Sequence, residues 1–114
     1  MPLIKIKTNA IVSPKNLSEL LSESTAITAD ILDKPVSIFM ASAETEAAMM
    51  FGGKVVPTAL FEIEALDYEE GLSQGLVNAL TDLAGHLLKA SPENVFIKIS
   101  NVPRGSWAGS KRIF

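Results

Sequence analysis

The chain has 114 residues, 47% apolar and 20% charged, a length and balance suited to one domain around a single core. A net charge of −3 provides no basic footprint for nucleic acid or an anionic membrane, and no apolar run approaches the roughly 20 residues of a transmembrane helix. The lack of cysteine excludes disulfides, thiolate metal sites and thiol nucleophiles, while the single histidine, His86, leaves no histidine cluster for a metal.

In chain order, residues 3–7 read as a short strand, LIKIK, with Pro2 directly in front. A proline there is tolerated as the first residue of a strand, since its missing N–H costs little. Ser13 and Pro14 supply an N-cap and a first-turn proline. Leu17, Leu20, Leu21, Ile27 and Ile31 then recur at helical spacing, which predicts an amphipathic helix over 14–32. Pro35 ends it, because proline cannot continue the helix and holds Lys34 extended. SIFMASA from Ser37 reads as the second strand, followed by a helical turn over 44–50 and a break at Gly52 and Gly53.

The pattern then restarts. Pro57 precedes TALFEIEAL, a third strand, and Leu72, Leu76, Leu80, Leu83 and Leu87 form a second amphipathic helix. Ser91 and Pro92 end that segment, and NVFIKIS is the fourth strand. The halves, about 2–45 and 57–102, align at an offset of about 55 residues, with a tail at 103–114. A duplicated βαβ unit implies an α+β fold: a four-stranded mixed sheet with both helices on one face. Strand alternation puts Lys5, Lys7, Glu62, Glu64, Phe96 and Lys98 on the other face, which is either solvated or the lining of an assembly.

Several residues have ordinary readings. His86 belongs to a helix surface; Glu69 and Glu70 suit the first turn of the second helix, where the dipole favours carboxylates. Met40, Met49 and Met50 read as core or interface filler. Gly52-Gly53-Lys54 lacks the spacing of a phosphate loop.

The motifs MP at the start, DKPVSI after the first helix, MMFGGKVVPTAL in the middle and SPENVFIKI before the fourth strand carry a resemblance, completed by Trp107 and Phe114 in the tail. In their order and spacing the chain resembles the macrophage migration inhibitory factor and D-dopachrome tautomerase family of the tautomerase superfamily. The resemblance implies a single domain over 1–114 that assembles as a homotrimer around a central channel, with active sites between subunits. It further implies keto–enol tautomerisation of an aryl pyruvate such as phenylpyruvate, without a cofactor or metal.

In that chemistry Met1 is removed and the freed Pro2 acts as general base. Burial and a neighbouring cation disfavour a protonated amine, which suits it to proton transfer next to a carbonyl. The resemblance makes Lys34 the cation that pairs with the substrate carboxylate or stabilises the enolate. The Leu66 N–H contacts the same oxygens, Phe96 and Lys98 enter from the adjacent subunit, and Trp107 and Phe114 form an apolar wall. Here Phe96 and Lys98 replace the Tyr and Asn of the cytokine pattern, so a preference for anionic keto acids over esters is expected. Thr58-Ala59-Leu60-Phe61 replaces its Cys-Ala-Leu-Cys, which removes any thiol oxidoreductase chemistry. The tail is more basic than the family pattern, with Arg104, Lys111 and Arg112 in one cluster.

Two other functions fit the pattern. One is a protein-binding or signalling module with vestigial catalysis and a receptor that the sequence does not identify. The other is a ligand-binding regulatory domain built from βαβ repeats, which leaves Pro2 and Lys34 together without a purpose. No signal peptide is legible, so a cytoplasmic location is expected.

Overall fold

The computed structural model describes residues 2–114. Met1, whose removal the proline chemistry requires, lies outside the described residues.

Strand β1, Leu3–Thr8, alternates buried Ile4, Ile6 and Thr8 with exposed Lys5 and Lys7. Helix α1, Pro14–Leu32, starts where the Ser13 Oγ accepts the Asn16 N–H at 3.1 Å. It stops at Asp33, whose φ of 54° turns the chain so that the Lys34 N–H reaches the Ala29 carbonyl at 3.0 Å.

The segment after Pro35 corrects the expectation of a strand from Ser37. Val36–Ile38 forms a 3₁₀ turn closed by the Phe39 N–H on the Val36 carbonyl, and strand β2 spans only Met40–Glu44. Pro35, at φ −70°, has no N–H for a ladder and sets up the turn instead. The helical turn expected over 44–50 is also absent. The Glu46 and Ala47 N–H groups bond to the Ala10 and Thr8 carbonyls at 3.0 Å each, so they extend the sheet edge rather than close a local turn. Met40 and Met50 are exposed and do not belong to this chain's core.

Phe51 and Lys54 exchange backbone bonds across Gly52 and Gly53, both at positive φ, a tight turn that needs glycine. Strand β3, Ala59–Leu66, buries Ala59, Phe61, Ile63 and Ala65 on one side. A 3₁₀ turn at Glu70–Leu72 leads into helix α2, Ser73–Leu88, so Glu69 and Glu70 stand ahead of its first turn. Strand β4 runs Val95–Val102. The tail, expected over 103–114, forms a hairpin of β5, Ala108–Gly109, and β6, Arg112–Ile113.

The sheet order is β2-β1-β3-β4. The outer pairs are parallel and the central β1–β3 pair is antiparallel, so the two βαβ units meet at β1 and β3. The core joins Ile4, Ile6, Phe61 and Ile63 from the sheet with Leu20 of α1 and Leu76, Leu80, Leu83 and Leu87 of α2. Both helices therefore cover one face, as the duplication predicts. The opposite face carries a row in register, Ser42, Lys5, Glu62 and Lys98, with the Lys5 Nζ 3.6 Å from the Glu62 carboxylate.

Candidate functional site

Pro2 is fully buried, and its carbonyl accepts the Met40 N–H at 3.1 Å, which ties the start of β1 to the start of β2. Because β1 pairs Leu3 with Glu64 and Ile4 with Ile63, the same register sets Pro2 opposite Ala65, one residue before Leu66. Beside Pro2 opens a cleft of about 610 Å³, within the ordinary size of a small-molecule site. One wall is Ser37 and Ile38 of the 3₁₀ turn with Phe39 and Met40 after it; the other is Trp107, Phe114 and the tail hairpin.

Three of the expected site residues, Pro2, Trp107 and Phe114, thus line a single cleft. The tail is closed onto itself by the Phe114 N–H on the Trp107 carbonyl at 2.8 Å, which holds both aromatic residues in place. A Cβ at Gly109 would stand 3.4 Å from two ring carbons of Phe114, so glycine there lets the ring lie flat against the backbone. The hairpin turns at Ser110 and Lys111, with φ of 50° and 62°, where Asn-Gly is the usual choice. Two non-glycine residues in that region store strain, which the backbone bonds at the base of the hairpin hold in place.

Lys34 and Leu66 form a second pair. The Lys34 Nζ donates to the Leu66 carbonyl at 2.9 Å, across 32 residues of sequence. This contact brings the first helix's exit turn to the end of β3 nearest Pro2. It engages the Leu66 carbonyl, whereas the expected substrate contact uses the N–H of the same residue. Lys34 is half-buried and keeps two further N–H donors.

Phe96 and Lys98 do not line the cleft within one chain. Both project from the exposed face of edge strand β4, where the Phe96 ring meets Phe51 edge-on at a centroid distance of 4.9 Å. His86 is exposed on α2, away from Pro2's surroundings.

Sequence reasoning missed the 3₁₀ turn that brings Ser37 and Ile38 to the cleft and the presence of Arg112 beside Pro2. The basic tail was the available signal for Arg112, but nothing local says that its hairpin folds against the other end of the chain.

Comparison with known proteins places this arrangement. The sequence profile described as macrophage migration inhibitory factor (MIF) matches residues 1–111. No curated protein matches the chain significantly by sequence. Among solved structures, the MIF-like protein of Entamoeba histolytica superposes with a TM-score of 0.93 at 22% identity, covering 99% of this chain and 98% of that one. The homologue from Prochlorococcus marinus gives 0.91 at 22% identity, covering 98% of each. A protein designated Pt0534, solved after inactivation by 2-oxo-3-pentynoate, gives 0.85 at 14% identity, covering 97% of this chain and 94% of that one.

Proposed function

Since the chain belongs to the macrophage migration inhibitory factor family, within the tautomerase superfamily, we propose that it is a keto–enol tautomerase of aryl pyruvates that uses Pro2 as general base. The observation that carries this reading is the buried position of Pro2 at a cleft walled by Trp107 and Phe114. Once Met1 is removed, the Pro2 nitrogen is a secondary amine; with Met1 attached it is an amide and takes no proton. Burial disfavours the charged amine, so the nitrogen is available as a base at neutral pH. It takes the proton from the carbon beside the keto group and returns it to complete the tautomerisation.

Lys34, anchored on the Leu66 carbonyl at the same end of the sheet, supplies positive charge for the developing enolate. Trp107 and Phe114 give an aryl group an apolar surface. The inactivation of the structurally similar Pt0534 by a 2-keto acid analogue supports a keto acid as the class of substrate. Phe96 and Lys98, exposed on β4, complete the site from the neighbouring subunit of a homotrimer.

The test is phenylpyruvate tautomerisation by the native protein, Pro2→Gly and a form that retains Met1. Both altered forms are expected to lose about 10²–10⁴-fold in kcat/KM, the usual contribution of a general base. Equal activity in all three would remove Pro2 from the mechanism.

A further inference from the structure

Among the described residues that line the Pro2 cleft, one side chain carries a full charge, Arg112 on β6. No Asp or Glu lines the cleft, and none of the ion pairs of the described residues includes Arg112. The rest of the lining is Ile38, Phe39, Met40, Trp107, Phe114 and small residues. Lys34, the other candidate cation, is committed to the Leu66 carbonyl and is not part of the cleft's lining.

A guanidinium presents a planar fork of N–H donors that matches a carboxylate in a bidentate fashion. Arg112 is exposed, so the contact is made at the mouth of the cleft, beside its apolar walls. Arg112 is also held in position: it pairs with Gly109 across the short hairpin, and the Phe114 N–H to Trp107 carbonyl bond closes the hairpin's base.

We propose that Arg112 is the specificity-determining residue of this cleft and binds the carboxylate of a 2-keto acid. The substrate's keto-bearing carbons then lie toward Pro2 and its aryl group against Trp107 and Phe114. This assignment relieves Lys34 of the carboxylate and rests on the tautomerase reading above.

The test is calorimetric titration with 2-oxo-4-phenylbutanoate and its ethyl ester, run on the native protein, Arg112→Gln and Arg112→Lys. Trp107 is the chain's one tryptophan, so its fluorescence reports whether either ligand occupies this cleft. The native protein is expected to bind the acid at least about tenfold more tightly than the ester, the weight of a charge-assisted hydrogen bond. Arg112→Gln loses most of that preference and binds the ester within about threefold of native; Arg112→Lys recovers the preference in part. Ester binding confirms that each variant is folded. An acid-to-ester ratio unchanged in Arg112→Gln, or no binding of the acid by the native protein, overturns the assignment. A native protein that binds the acid through Arg112 but tautomerises neither compound overturns the enzyme reading and leaves Arg112 as a carboxylate site.

Discussion

Lys98 shows how one side chain's meaning depends on its setting. It is exposed on β4, in register with Glu62, and Glu62 is in turn 3.6 Å from Lys5. Within one chain it is a solvated member of a mixed-charge row; against a neighbouring subunit it is a cation that can face an anionic substrate. Lys98→Asn is expected to reduce the preference for phenylpyruvate over its methyl ester several-fold, read as the ratio of kcat/KM values. An unchanged ratio would assign Lys98 to the surface. Lys34 was legible in part. Its place before Pro35 marks a helix exit, and the family motif marks it as a site residue, yet its bond to the Leu66 carbonyl depends on how α1 packs against the end of β3. Arg112 was visible only as one of several basic residues in the tail, because composition says nothing of which surface a tail covers.

The elements were read well where local chemistry controls them. Ser13 and Pro14 begin α1 because a capping hydroxyl and a residue without an N–H both suit a helix start, and the Ser13 Oγ makes the expected bond. The exits were harder to see. Both helices end on non-glycine residues in the left-handed region, Asp33 at φ 54° and Lys89 at φ 57°, where glycine is the usual signal. Lys89→Gly is therefore expected to stabilise the protein by about 1 kcal/mol, since it removes the Cβ conflict at that position. A raised urea midpoint at constant slope would confirm it; a lowered midpoint would show that the exposed Lys89 Nζ to His86 carbonyl bond outweighs the strain. The segment from 37 to 50 was misread because its apolar residues pass for both strand and helix, whereas its backbone partners are the carbonyls of Thr8, the last residue of β1, and of Ala10 just after it.

For the whole molecule, the open face of the sheet is the main unresolved surface of a single chain. It carries the charged row of Lys5, Glu62 and Lys98, while Met40 and Phe96 on its strands are 70% and 63% exposed. Exposed large apolar residues beside paired charges suit an interface better than free solvent. Sedimentation is expected to give three times the 12.2 kDa of one chain. Glu62→Lys, which sets three like charges in one row, should shift the equilibrium toward monomer; a native monomer would leave Phe96 and Lys98 outside any site. By itself the sequence determined the order of the two long helices and four main strands, the duplicated βαβ plan and the buried side of β1, β3 and β4. Those follow from short-range sterics and from a periodicity that records which face avoids water. Only the tertiary structure decided that the Lys34 Nζ reaches the Leu66 carbonyl and that Arg112 lines the cleft beside Pro2. A hydrophobic pattern states which face of an element is buried, but the partner it meets from a distant part of the chain is chosen by packing across the whole fold.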